Sequence, residues 1–397
     1  MFSVDEYLNE FRRVHNNPMF QHDASFAELI TKFILKRNMS FREVYSSSFY
    51  PQYVRLGEQH LFIWDNYYWD LFGAYCQCNI LMQYDKNYTD FCKIYFSGLL
   101  YLFLSLRLEK YPYLSLAIAE AYPIWRSAFQ STYSNDPRLK NAMVQIKEQS
   151  KKRFLPAKLF VFFHEYCHCI YTDLTLFKRD KIQIVTFCNS LLSYPKRPII
   201  DEHTDLAIHM LARSEDKRAI EEVCCDLRAI QKTTSFWNKY FDQKTPVDIT
   251  HQAVLSHAGC VQAFQHIIMQ VESVYNWFYI STQNTPLWER KKVWYSFEPE
   301  IRKRDIEIIS ARFQFMHLAS PLFPEFILDK SKEHIKGIMI ANPFDTDEYN
   351  DFFNSIVECM CSYENMESTL LRAMELEEHH SQREASMKRD QIIGWAM

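Results

Sequence analysis

Two histidines four residues apart, with a glutamate directly after the first, stand at His164-Glu165-Tyr166-Cys167-His168. On a helix, positions four apart share one face, a turn apart, so both imidazoles reach a single metal ion. Glu165 projects to the edge of that face. From there it can hold and deprotonate a water beside the metal without being a ligand itself. The flanking run, Phe160-Val161-Phe162-Phe163 before the motif and Cys169-Ile170 after it, is apolar almost all round. A helix of that kind lies inside a protein. Three ionisable side chains there are costly to bury unless something satisfies them, and a metal does so.

Two histidines do not complete a catalytic zinc site, which takes three protein ligands and a water. Further along the chain, Glu221-Glu222-Val223-Cys224-Cys225-Asp226 offers carboxylates at helical spacing. Glu222 is the expected third ligand. Asp226, one turn on, is expected to accept the N–H of a ligand histidine and so fix its tautomer. Glu221 is the rival ligand, but on a helix it points about 100° away from Glu222. Asp201, His203, Asp205 and His209 form a polar cluster ahead of this segment and read as a solvated helix start. Cys167, Cys169, Cys224 and Cys225 flank the proposed ligands and read as small packing residues. The Cys76/Cys78 and Cys359/Cys361 pairs have one-residue gaps, too short for common structural zinc sites. A third histidine soon after His168 is absent, which excludes the longer H-E-x-x-H-x-x-G-x-x-H pattern.

The elements that must carry these residues are mostly helices. Only 6 glycines occur in 397 residues, which leaves few tight hairpins and no glycine-rich phosphate loop. Residues 1–40 read as polar to amphipathic helix. Phe41 to Leu56 alternate and are rich in β-formers, predicting two short strands. Residues 58–82 read as an aromatic helix, and 88–130 as two apolar helices broken near Tyr111-Pro112. Ser131 to Arg138 is the clearest linker. Pro156 is expected to open the motif helix, where its missing N–H costs nothing. A turn follows at Tyr194–Pro198. Ser214 is placed to cap a helix that puts Ile220, Val223, Leu227 and Ile230 on one face. A long helix is expected over 250–280, and further helices beyond it with breaks at Pro299, Pro321, Pro324 and Pro343. The expected fold is therefore mainly α with a small antiparallel β-sheet. Its parts would be an N-terminal helical region (1–135), the core (136–297) and a C-terminal helical region (298–397).

H-E-x-x-H on one helix with E-x-x-x-D on a later one resembles the gluzincin metallopeptidases. The resemblance implies a zincin-like helical metallopeptidase core, with His164, His168 and Glu222 as Zn2+ ligands, Glu165 as base and Asp226 behind the ligands. More loosely, the order of features resembles the phage-exclusion peptidase group typified by Lit. That group has an aromatic helix upstream, like Phe62 to Phe72 here, and a later Asn-Thr-His-Pro segment with a downstream Arg. The corresponding stretch here reads Gln283-Asn284-Thr285-Pro286-Leu287-Trp288-Glu289-Arg290 and lacks the histidine. An oxyanion donor besides zinc is required. Tyr275, Tyr279, His257 and Arg290 are the candidates, and the sequence does not choose among them.

Composition narrows the class. A net charge of −4, from 45 basic and 49 acidic residues, argues against a nucleic-acid partner. The basic clusters Lys151-Lys152-Arg153 and Arg302-Lys303-Arg304 read as solvated surface. The most apolar stretch, Ile94 to Leu106, is shorter than the roughly 20 residues a bilayer span needs, so no membrane partner is expected. The first residues show no basic region followed by an apolar one. The 11 cysteines have no secreted-scaffold spacing, so a reduced, cytoplasmic setting is expected. The expected activity is hydrolysis of a peptide bond in a specific protein substrate, in defence (antiviral) or signalling. An unguarded protease endangers its own cell, so either narrow specificity or an activating or inhibitory protein partner is expected. Two other readings stay open here: a metal-binding sensor that uses the scaffold without turnover, and an interaction protein with a coincidental motif.

Overall fold

A computed structural model of the chain describes residues 7–8, 25–35, 38–46, 50–121, 137–193, 202–213, 217–241, 247–283, 312 and 363–396. The described chain is mainly helical, with one three-stranded sheet. Helix α1 (Ser25–Phe33) leads into strands β1 (Met39–Val44), β2 (Gln52–Leu56) and β3 (Gln59–Asp65). Helices α2 (Asn66–Tyr84) and α3 (Thr89–Arg107) follow, then a helical segment over 112–121. The second half holds α4 (Pro137–Ile170), α5 (Leu174–Leu192), α6 (Glu202–Arg213), α7 (Lys217–Tyr240) and α8 (Val247–Gln283). Two helices, α9 (Tyr363–His379) and α10 (Gln382–Ala396), close the described chain.

The sheet corrects two expectations. Residues 59–65 are strand, not the start of an aromatic helix. A short unbroken apolar run such as Leu61-Phe62-Ile63-Trp64 suits a buried helix and a buried strand equally. The flanks decide. Gly57 takes a φ of 66° in the two-residue turn after β2, a conformation that favours glycine and starts a hairpin. Asp65 then caps α2, its side chain accepting from Tyr67 N–H. The sheet is also mixed rather than antiparallel. Its order is β1-β3-β2, with β3 antiparallel to β2 but parallel to β1. The hairpin inserts β3 between the two earlier strands, and Leu61 to Asp65 are buried there.

Asp65 also accepts from the backbone and hydroxyl of Ser46, and both residues are fully buried. One carboxylate thus ties the chain ahead of β2 to the start of α2. We expect Asp65→Ala to cost about 2–3 kcal/mol, a lost cap plus an unsatisfied buried hydroxyl. Urea unfolding checks this, and a loss below about 0.5 kcal/mol would show that the tie is idle.

The motif helix differs as well. It begins at Pro137, and Pro156 lies inside it. Proline there removes one i→i−4 bond and usually kinks or breaks a helix. The helix nevertheless continues, because the turns after Pro156 are gripped on several sides: Ala157, Leu159, Phe160, Phe162 and Cys167 are almost wholly buried. The neighbours are α7 most extensively, then α2, α8 and the sheet. Helix α3 is apolar and long enough to cross a membrane by length and composition, yet an unbroken run from Phe96 to Leu106 is buried in the core.

A single large core cluster takes residues from Phe26 through Ile268 and from Leu370 to Ile393, on both sides of the linker expected near residue 135. A smaller one joins Cys167, Tyr171 and Phe187 to Val223, Cys224 and Cys225, fixing α7 against the end of α4. There Asp180 of α5 is fully buried, accepting from Arg228 Nε and Nη2, each at 2.7 Å, and from the Tyr171 hydroxyl at 2.9 Å. All cysteines among the described residues are free thiols. Ser131 to Asp136, the Tyr194–Pro198 turn, Ser214, Cys359 and Cys361, the 302–304 cluster and the later proline breaks lie outside the described residues.

Candidate metal centre

Helices α4 and α7 pack side by side and place the expected ligands opposite one another. His164 Nε2 and His168 Nε2 are 3.3 Å apart, as the one-turn spacing dictates. Glu222 reaches across from α7, with Oε2 3.2 Å from His164 Nε2 and Oε1 3.7 Å from His168 Nε2. Four donors at about 2.1 Å around a tetrahedral zinc stand about 3.4 Å from one another. The separations fall near that edge length, the two to Glu222 involving its different oxygens, so the three side chains could hold one metal ion together. Among the described residues this is the single His/Cys/Asp/Glu group with that compactness, its ligand atoms all within 4.8 Å.

The remaining ring nitrogens explain why both Nε2 atoms turn inward. His168 Nδ1 is hydrogen-bonded to Glu221 Oε1 at 3.0 Å, and His164 Nδ1 lies 2.8 Å from Asp226 Oδ1, an ion-pair contact in which the ring N–H is not aligned for a hydrogen bond. A carboxylate on Nδ1 holds the proton there and frees the Nε2 lone pair for a metal. Glu221, considered in the sequence as a rival ligand, instead faces the second histidine's outer nitrogen. Cys225 Sγ lies 3.6 Å from that nitrogen too.

Asp226 is wholly buried and crowded with donors. Arg312 gives it Nε and Nη2, each at 2.9 Å, and Gln262 gives Nε2 at 3.0 Å. Arg312 Nη2 also lies 3.2 Å from Glu222 Oε2. Burial by itself would raise both carboxyl pKa values. The Arg312 guanidinium, with His164, outweighs it and holds both below the usual range. Burial would likewise lower the His164 imidazole, but the Asp226 and Glu222 carboxylates push it up to about 10. The buried charges of this cluster are thus matched, Asp226 and Glu222 facing Arg312 and His164.

Glu165 points another way. Its Oε2 accepts from the backbone N–H of Tyr53 at 2.8 Å. Tyr53 lies on β2, an edge strand whose other side pairs with β3. The strand and the end of the motif helix are further joined through His60, whose Nδ1 lies 2.7 Å from the Tyr53 hydroxyl and 3.3 Å from Cys169 Sγ. Glu165, His168 and Glu222 are all partly exposed, while His164 is buried. The triad therefore opens to solvent on the side of Glu165 and His168.

Of the expected oxyanion donors, two have side-chain contacts among the described residues. His257 sits on α8 with Nδ1 2.6 Å from its own helix's Ala253 carbonyl. The Tyr275 ring lies 4.4 Å beneath the Arg107 guanidinium. The Tyr279 side chain and Arg290 lie outside the described residues. Of the upstream polar cluster, Asp205 and His209 pair with each other at 3.7 Å along α6.

Several contributors carry no sequence signal. Arg312 stands 86 residues beyond Asp226 with no motif around it. Gln262 is a buried amide on α8 with no motif around it. Tyr53 acts through its backbone, which spacing cannot reveal. No protein-family model matches the chain, and comparison with curated proteins and with solved structures likewise gives no match.

Proposed function

We propose that the chain is a zinc-dependent peptidase of the gluzincin type that cuts a specific protein substrate inside the cell. The observation that carries this reading is the compact grouping of His164, His168 and Glu222, one ligand atom from each lying within 4.8 Å of the others, with a further carboxylate, Glu165, next in sequence to His164 but outside the group. A zinc ion held there would supply a Lewis acid that polarises a carbonyl and acidifies water.

The chain's own groups do the rest. Asp226 and Glu221 keep the two imidazoles turned and basic. Arg312 balances the buried negative charge of Asp226 and Glu222. Glu165 Oε1 takes a proton from the attacking water and later returns it to the leaving amine, while Oε2 stays on Tyr53 N–H. The partly exposed edge of the triad at Glu165 and His168 is where substrate would enter, and narrow specificity is proposed for it. A role in defence or signalling extends the looser resemblance to the phage-exclusion peptidases.

The test is metal content. Protein purified without chelator after zinc-supplemented growth is expected to carry about one zinc per chain by elemental mass spectrometry. His164→Ala and His168→Ala should each lose it. A wild-type stoichiometry near zero would sink the peptidase reading.

A further inference from the structure

We propose that His60 is a positioning residue for the base: its imidazole pins strand β2 against the motif helix, so that Tyr53 N–H meets Glu165 Oε2 and the other carboxylate oxygen stays turned to the water. This rests on the peptidase reading above.

Glu165 and Cys169 stand four residues apart on α4, so they share one face of the helix. That face meets the sheet at two points. At the first, Glu165 Oε2 accepts from Tyr53 N–H at 2.8 Å. At the second, one turn on, Cys169 Sγ lies 3.3 Å from His60 Nδ1, and the same nitrogen lies 2.7 Å from the Tyr53 hydroxyl. Tyr53 is therefore held at both ends, its amide by the base and its phenol by His60. The His60 ring also lies along the Tyr53 ring, centroids 5.8 Å apart and 18° from parallel. His60 itself is fixed on the central strand β3, where its backbone N–H donates to the Asn38 carbonyl at 3.0 Å.

The sheet holds β2 along one side only, through β3. A single hydrogen bond at the Tyr53 amide would act as a pivot. The second contact, a helical turn away, converts the pivot into a fixed orientation of strand and base. Protonation suits the clamp: burial pushes the Tyr53 phenol up to about 12 and lowers the His60 imidazole. Near neutral pH the phenol therefore donates and the uncharged imidazole accepts.

His60→Phe keeps a ring against Tyr53 and removes the nitrogen, whereas His60→Asn returns a polar atom near the Nδ1 position. Hydrogen exchange of the zinc-free protein, read by mass spectrometry on peptides spanning β2, tests the clamp. The Tyr53 amide should exchange about tenfold faster in His60→Phe and near the wild-type rate in His60→Asn. Calorimetric titration of acetohydroxamic acid into the zinc-loaded proteins tests the base. This acid gives its O–H proton to a carboxylate beside the zinc as it binds, so its affinity reports where Glu165 stands. Affinity should fall about tenfold in His60→Phe and recover in His60→Asn, with zinc content unchanged. Adding His60→Phe to Glu165→Gln should cost nothing further. If His60→Phe does not fold, Tyr53→Phe, which deletes only the hydroxyl that His60 holds, takes its place with the same expectations. Wild-type exchange and wild-type probe affinity in the folded, zinc-loaded variant would overturn the role of His60 and leave the peptidase reading standing. So would a loss that persists in full on Glu165→Gln. Wild type that holds zinc but does not bind the probe would overturn both.

Discussion

Glu165→Gln is expected to keep one zinc per chain and to lose hydrolysis by about 10²- to 10⁴-fold, the usual contribution of a positioned general base. The ligand set closes without Glu165: the compact group is His164, His168 and Glu222. Glutamine has the same length and keeps a side-chain oxygen for Tyr53 N–H, which the carboxylate now meets at 2.8 Å. Packing around the motif is therefore preserved, and what disappears is the ability to take a proton. The readout is a search for new protein N-termini in a cell lysate treated with wild type or variant. Cuts that appear with wild type should vanish with Glu165→Gln. Release of zinc by the variant would show that Glu165 is a ligand. Unchanged cuts would show that another group is the base. A variant that keeps the protein's full biological effect would point to a metal-bearing sensor.

The site was more legible in the sequence than the fold around it. His164, His168, Glu222 and Asp226 meet as expected because helical periodicity is local: once α4 and α7 form, positions four apart must share a face. Only the pairing of the two helices had to be inferred, and buried carboxylates near buried imidazoles leave few other solutions. The strand at 59–65 was not legible, because a continuous Leu-Phe-Ile-Trp run has neither period and its fate depends on Gly57 and Asp65 at its ends. The parallel pairing of β1 with β3 is set by chain routing, which composition does not encode. Pro156 misled for a related reason. Its local penalty of about 3 kcal/mol is real, but burial of the following turns outweighs it. Glu221 shows the finer limit. Its direction away from Glu222 was deduced from the helical angle, yet that same angle carries it to His168 Nδ1, a contact that needs the second helix in place.

Arg312 has the largest expected effect on stability. Asp226 is fully buried and Glu222 partly buried, one turn apart on α7, and Arg312 touches both. Replacing it with methionine keeps much of the volume and removes the charge. The metal-free protein should then lose about 3–5 kcal/mol, the usual cost of leaving buried charge uncompensated. The sign with pH follows. Burial would raise both carboxyls, but Arg312 and His164 hold them low, so their contribution is present above about pH 4 and fades as pH falls further. The gap between wild type and Arg312→Met should therefore be widest near neutrality and narrow in acid, as the carboxyls protonate and no longer need the guanidinium. Zinc should shrink the gap as well, since a divalent cation beside Glu222 replaces part of the lost positive charge and binds only the folded state. Urea unfolding of both proteins at neutral and acidic pH, with and without zinc, measures all three effects. A neutral-pH loss below about 1 kcal/mol, or a gap that widens in acid, would show that Arg312 does not carry the charge balance of this site.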